Sequence, residues 1–392
     1  MSPVRAGSTF IRPQLNLGFS QDKLGGVNSL PELIEFAAGH NPDHIFGVQT
    51  RAGEGSSPFD ITFSALQSAI EHASAWLVST GATPGRTQRD QKLSPVGILL
   101  GSDIAIFIYM AALLRIGTPV SIQCLCMVCI PDILQVLLMS ARLTPVAIAH
   151  LMKETSTTCV LINSQVSRAS QEALELLQAD TDVLVISNFI SALSCEDLLY
   201  PNVRLNQTKI PPRYSAWVRE DLDAIIMHSS GTTGLPKPVY HSQTYPLVYA
   251  AAHRLPEQKD SFRFNVSTLP LYHVSTSKTL CCSISHSSLI QGFGLMAPTL
   301  SLSIGMPFTL PPASVVPTGK STLNALQTSG ARYIMTVPSI VEEVLRLPGG
   351  VGLRALKGLE IVAVGGAPIK ESVGDELAAA GVNLLNHWGK HF

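Results

Sequence analysis

The chain has 392 residues, 46% of them hydrophobic and 14% charged, with a formal net charge of -1. Such a length and apolar fraction can bury a sizeable core in two or three subdomains, and the near-neutral balance leaves no footprint for nucleic acid or acidic lipid. Residues 1–16 carry Arg5 and Arg12 but no apolar signal core, so the expected location is cytoplasmic.

In chain order, Ser29 can cap a helix over 30–38, with Pro31 in its first turn. Residues 63–78 place Leu66, Ile70, Ala73 and Leu77 on one face, the spacing of an amphipathic helix. A strand is expected at 96–100 and a helix at 103–115 that is apolar on several sides. Strands at 159–162 and 183–186 flank a helix at 167–177. The polar, proline-bearing stretch 202–213 reads as a boundary between subdomains. Beyond it come a strand at 222–227, a helix at 243–253, strands at 264–269, 333–336 and 359–364, and helices at 322–328 and 340–346. Alternation of this kind predicts an α/β fold of parallel sheets flanked by helices, joined by right-handed crossovers.

The stretch Met227-His228-Ser229-Ser230-Gly231-Thr232-Thr233-Gly234-Leu235-Pro236-Lys237-Pro238 follows the pattern of a buried strand. Gly231 and Gly234 let the backbone turn and offer N–H groups to an anion. Ser229, Ser230, Thr232 and Thr233 add hydroxyl donors, and Lys237 a mobile positive charge. This composition suits a triphosphate. It is not a Walker A loop, because the lysine follows Leu235-Pro236 in place of glycine. The second candidate, Pro317-Thr318-Gly319-Lys320-Ser321, has Ser314 where the first glycine should stand.

The loop resembles the signature of the adenylate-forming superfamily: acyl-CoA synthetases, luciferases and the adenylation domains of nonribosomal peptide synthetases (NRPS). Thr268-Leu269-Pro270-Leu271-Tyr272-His273, Val364-Gly365-Gly366-Ala367-Pro368 and Leu384-Leu385-Asn386-His387-Trp388-Gly389 resemble its later motifs, in family order. The loop's wording, with Phe308-Thr309-Leu310-Pro311-Pro312 leading into Thr318-Gly319-Lys320-Ser321, is similar to fungal NRPS-like adenylation domains of the carboxylic acid reductase type.

The resemblance implies the large N-terminal domain of an adenylate-forming enzyme over 29–389, after an N-terminal extension at 1–28. The implied reaction is ATP-dependent activation of a carboxylic acid, in which the carboxylate attacks the α-phosphorus to give an acyl adenylate and pyrophosphate. Delivery to the phosphopantetheine of a carrier domain would follow. Ser229, Ser230, Gly231, Thr232, Thr233, Gly234 and Lys237 are implied at the phosphates. Gly365, Gly366, Ala367, Asn386, His387, Trp388 and Gly389 are implied on the adenine side. His273 is implied beside the acyl pocket as a candidate catalytic gate, and His228 is read as orienting the phosphate loop or supporting the acyl pocket. ATP and Mg2+ are the implied cofactors.

The sequence also departs from the family. The magnesium-binding glutamate, the ribose aspartate and the small C-terminal domain with its catalytic lysine would follow Gly389 and do not appear, and 390–392 reads as an aberrant tail. The alternative reading is therefore a nonproductive truncated fragment that at most binds nucleotide. Two segments, 120–135 and 274–291, interrupt motifs that the family runs together. Each begins Val-Ser, encodable as GTG-AGT, and ends in Gln, encodable as CAG, so retained introns are expected.

Cysteine usage points the same way, with Cys124, Cys126, Cys129, Cys281 and Cys282 in the inserts. Cys-x-Cys-x-x-Cys has no second ligand pair at zinc spacing, so no metal is expected there. The apolar run 118–139 is broken by Pro131 and Asp132 and reads as no membrane anchor.

Overall fold

The computed structural model describes residues 10–15, 26–51, 58–82, 94–101, 103–117, 134–179, 188–201, 211, 223–229, 234–252, 265–268, 293–311, 317–365 and 367–386. Its elements, in order, are α1 (Leu30–His40), β1 (Ile45–Gln49), β2 (Phe59–Thr62), α2 (Phe63–Ser79), β3 (Val96–Leu100), α3 (Ile104–Ile116), β4 (Val136–Ser140) and α4 (Pro145–Thr155). There follow β5 (Cys159–Ile162), α5 (Ser167–Ala179), β6 (Asn188–Ser191), α6 (Cys195–Leu199), β7 (Asp223–His228), β8 (Pro238–Ser242) and α7 (Tyr245–Ala252). The last are β9 (Asn265–Ser267), α8 (Met296–Ile304), β10 (Phe308–Leu310), α9 (Gly319–Ser329), β11 (Tyr333–Thr336), α10 (Pro338–Leu345), α11 (Val351–Lys357), β12 (Ile361–Val364), α12 (Glu371–Ala379) and β13 (Leu384–Asn386).

Two compact units divide the chain, one from 1–14, 36–64 and 248–392, the other from 15–35 and 65–247. The boundary expected at 202–213 is thus not where the units part. Of that stretch only Pro211 is described, and its carbonyl accepts from Arg115 within the second unit at 2.7 Å.

The first unit holds a seven-stranded sheet in the order β13-β12-β11-β9-β10-β1-β2. Its inner pairings are parallel, as expected, while β2 closes one edge antiparallel to β1. Val266, Ile334, Val341, Val344, Leu356, Val362, Val364 and Leu377 form its main core. Here α9, α10 and α11 approach backbone to backbone. A Cβ on Gly352 would stand 1.7 Å from the Val344 carbonyl, and one on Gly319 would stand 2.6 Å from the Glu343 backbone. The Glu343 carboxylate accepts from the Gly319 N–H at 2.7 Å, while Thr318 and Ser321 form a capping box. A side chain of the chain itself therefore fills the anion position at this helix start, which explains why the Walker-like wording at 317–321 is structural.

The second unit holds a six-stranded sheet in the order β6-β5-β3-β4-β7-β8. Every residue of α3 from Ile104 to Arg115 is buried, which is why that segment is apolar all round, and Asp103 caps it by accepting from the Ala105 N–H at 2.9 Å. The strand expected at 183–186 lies outside the described residues. Of the segment 120–135, only Leu134 and Gln135 are described; both are buried, and the Gln135 carbonyl accepts from Val96 N–H at 3.0 Å. Segment 274–291 lies wholly outside, as do Cys124, Cys126, Cys129, Cys281 and Cys282. Cys159 and Cys195 are buried free thiols, and burial pushes Cys159 up to about 11. No helix among the described residues is long and apolar enough to cross a membrane.

Candidate functional site

In the second unit, β7 and β8 are antiparallel, with Met227 opposite Val239 and His228 opposite Pro238. Parallel strands need a long crossover, whereas an antiparallel pair can be joined by a short loop. The glycine- and hydroxyl-rich stretch is that loop. Its neck is closed by the Ser229 N–H, which donates to the Lys237 carbonyl at 3.0 Å. Ser229 is buried, whereas Gly234 and Lys237 are exposed. Gly234 adopts φ of +113°, a conformation that L side chains rarely reach, with open space where a Cβ would sit. The Lys237 ammonium pairs with no carboxylate among the described residues, so its charge remains available to an anion. Ser230, Gly231, Thr232 and Thr233 lie outside the described residues.

His228 is buried at the start of this loop. Its Nε2 accepts from the Ser140 N–H at 3.1 Å, and its Nδ1 lies 3.4 Å from the Ser229 carbonyl. Farther along the hairpin, His241 stacks on Tyr245 with ring centroids 4.1 Å apart. Burial holds the His241 imidazole down at about 4, so it is neutral at physiological pH.

In the first unit, the chain runs from β9 to β10 on one side and then to β11 on the other, so the strand order reverses between β9 and β11. Ligands in open α/β sheets lie at such reversals, beyond the strands' carboxyl ends. There Thr268 and Thr336 meet hydroxyl to hydroxyl at 2.7 Å, and the Thr268 N–H donates to the Met335 carbonyl at 3.1 Å. One strand over, Gly365 follows β12 and donates its N–H to the Thr336 carbonyl at 3.0 Å. Ala367 is half-buried in the turn beyond, and Asn386 is exposed at the end of β13, in register with Val364. Gly365, Ala367 and Asn386 thus stand at the carboxyl ends of neighbouring parallel strands. Gly366, His273, His387, Trp388 and Gly389 lie outside the described residues. Thr336 and Ser140 had no mark in the sequence; a period-2 count along the strand 333–336 could have flagged only the former.

These parts can do two things chemically. The hairpin loop offers backbone N–H groups, hydroxyls and one ammonium to phosphate oxygens. The strand ends of the first unit offer neutral donors and acceptors suited to a base or a small polar ligand. No three ligating side chains gather among the described residues to form a metal site.

The family described as "AMP-binding enzyme" matches residues 34–390. An adenylate-forming reductase of Aspergillus terreus is 33% identical over 99% of this chain and 34% of its own length. The non-canonical non-ribosomal peptide synthetase ascB of Acremonium egyptiacum is 32% identical over 97% of the chain and 31% of its own length. The chain thus spans about a third of the length of these curated relatives. Among solved structures, the inhibitor-bound N-terminal domain of FACL13 from Mycobacterium tuberculosis superposes with a TM-score of 0.66 at 15% identity, covering 93% of this chain and 76% of that one. The o-succinylbenzoate coenzyme A synthetase of Bacillus subtilis, solved with AMP, gives 0.60 at 16% identity, covering 91% and 58%. At these identities the structures establish the fold, an α/β N-terminal domain with two mixed sheets flanked by helices. The family match over 34–390, together with the identity to the fungal relatives, means that the chain belongs to the AMP-binding enzyme family.

Proposed function

We propose that the chain is the adenylation module of an NRPS-like synthetase or reductase and activates a carboxylic acid with ATP. The carboxylate oxygen bonds to the α-phosphorus, the bond between that phosphorus and the α–β bridging oxygen breaks, and pyrophosphate leaves with the electron pair. The products are an acyl adenylate and pyrophosphate; a phosphopantetheine thiol on a carrier domain then gives up its proton and bonds to the acyl carbon, and the bond from that carbon to the phosphate oxygen breaks to release AMP. The single observation that carries this reading is the closed hairpin neck between β7 and β8 with its exposed Lys237, which pairs with no carboxylate among the described residues, in a chain that matches the AMP-binding enzyme family. Support comes from the relatives' names, an adenylate-forming reductase and a non-canonical non-ribosomal peptide synthetase among them.

In this reading Ser229, Ser230, Gly231, Thr232, Thr233 and Gly234 hold the β- and γ-phosphates, and Lys237 tethers the departing charge. Gly365, Gly366, Ala367, Asn386, His387, Trp388 and Gly389 hold the adenosine side, and His273 and His228 serve the acid. Magnesium, which family members use with ATP, would neutralise phosphate charge when bound. Among the described residues, the Ser229 hydroxyl at the loop's neck would be a candidate to hold it together with the nucleotide's own oxygens, where it would offset phosphate charge. The module is read as cytoplasmic, with no nucleic-acid or membrane partner.

The test is acid-dependent exchange of pyrophosphate into ATP across aryl, keto and fatty acids. Exchange with at least one acid is expected, and Lys237→Ala should lower it by roughly tenfold to a hundredfold, the worth of a hydrogen bond to a charged group. Absence of exchange with every acid, or exchange indifferent to Lys237→Ala, would overturn the reading.

A further inference from the structure

The phosphate loop leaves β7 at His228, and that take-off point is held from both neighbouring strands. On the β8 side the hold is backbone, from the Ser229 N–H to the Lys237 carbonyl at 3.0 Å. Pro238, which faces His228, has no N–H to add. On the β4 side, the backbone register pairs Val136 with Ile225 and Leu137 with Ile226. Three residues farther along β4, the Ser140 N–H goes to a side chain, donating to His228 Nε2 at 3.1 Å.

A ring nitrogen that accepts carries no proton, so the imidazole is neutral with its hydrogen on Nδ1, directed at the Ser229 carbonyl 3.4 Å away. Ser140 is itself a fixed point. Its carbonyl accepts from Leu143 N–H at 3.1 Å and its Oγ from Arg142 N–H at 3.2 Å, which ties the turn that leads into α4.

We infer that His228 is a positioning residue: through Nε2 it fixes the start of the phosphate loop against the carboxyl end of β4. This rests on the nucleotide reading of the loop given above. A loop whose donors must meet phosphate oxygens needs its geometry held to within about half an ångström by packed, hydrogen-bonded neighbours. An imidazole suits the task, being rigid, buried and able to accept at Nε2 while donating at Nδ1. Glutamine can place an acceptor at the same reach. Phenylalanine keeps the ring shape and loses the acceptor.

The test uses the full chain with His228→Gln and His228→Phe. Nitrogen-15 NMR of labelled histidine reads the tautomer, amide exchange reads Ser140, and titration calorimetry reads ATP with magnesium. The expected tautomer has Nδ1 protonated. Ser140 stays protected in the wild type and in His228→Gln and exchanges faster in His228→Phe. ATP affinity should fall roughly three- to tenfold in His228→Phe, the worth of one hydrogen bond, and return in His228→Gln. Nε2 protonated in the wild type, unweakened ATP binding by His228→Phe, or no recovery in His228→Gln would each overturn the inference. Should His228→Phe fail to fold, the wild-type tautomer and the Ser140 exchange of His228→Gln decide it. A wild type that binds no ATP sinks the nucleotide reading before any variant is compared, and the strut then stands or falls on the tautomer and Ser140.

Discussion

In the second unit the inner strands β3, β4 and β5 read VGILL, VLLMS and CVLI, and their buried side chains are almost all hydrocarbon. In the first unit, β9, β10 and β11 carry Asn265, Ser267, Thr309 and Thr336 in the interior, with Thr268 just beyond, none more than 7% exposed. Thr268 and Thr336 satisfy one another, and the Asn265 amide reaches Met335 Sδ at 2.8 Å. Asn265 Oδ1, Ser267 Oγ and Thr309 Oγ1 find no partner among the described residues. Each such group costs about 1–3 kcal/mol. Two sheets on one parallel plan therefore divide the work. The dry sheet carries the β7–β8 hairpin at its edge, while the other keeps polar groups where the strand order reverses. A sequence departs from apolar filling mainly where function asks for it.

The largest expected effect tests the dry sheet. Leu137 on β4 is fully buried among Leu99, Met139, Val160 and Ile226. Leu137→Ala should cost about 3–4 kcal/mol, the sum of lost transfer energy and a cavity in a packed interior. Urea unfolding measures it. A cost under about 1 kcal/mol would mean that the site collapses easily, and the contrast with the first unit would lose its basis.

Where local chemistry decides structure, the sequence was readable. The strands 96–100, 159–162 and 333–336 match residue for residue, because continuous apolar runs between polar ends leave little choice. α3 was legible from its unbroken apolar surface and α2 from its spacing. The turn between β7 and β8 was legible from its glycines, of which Gly234 adopts φ of +113°.

Non-local features stayed hidden. That β8 returns antiparallel beside β7, or that β10 sits between β9 and β1, is decided by strand pairing, and Phe308–Leu310 is too short to carry a period. The reversal between β9 and β11, and with it Thr336, follows from strand order alone. α4 had signals that went unread, a Thr144 cap and Pro145 in its first turn. The partner of His228 was equally hidden, since Ser140 lies 88 residues away.

A middle-sized effect comes from a buried titratable group in the second unit. His241 Nε2 is buried without a partner among the described residues, and burial lowers the ring from its ordinary 6.5 to about 4. Between these values the unfolded chain takes a proton that the folded chain refuses. Stability is therefore full above pH 6.5 and falls as pH drops towards about 4, by roughly 2–3 kcal/mol in all. His241→Phe keeps a ring against Tyr245 and removes the titration. Urea midpoints at about pH 7.5 and 5 should converge in that variant relative to the wild type. An unchanged pH difference would assign the acid sensitivity to other groups.

The smallest effect is the most discriminating. Ser267 is fully buried on β9, in register with Met335, and its hydroxyl has no partner among the described residues. If that hydroxyl served packing, Ser267→Ala would cost stability. If it is an orphan kept for a ligand, removing it relieves a desolvated group, and the variant should be as stable as the wild type or better by up to about 1 kcal/mol. The same substitution should then raise the KM for the activated acid in pyrophosphate exchange while leaving that for ATP unchanged. Differential melting and the two KM values together separate the cases. A loss of stability with both KM values untouched would make Ser267 a structural residue and weaken the division of labour drawn between the sheets.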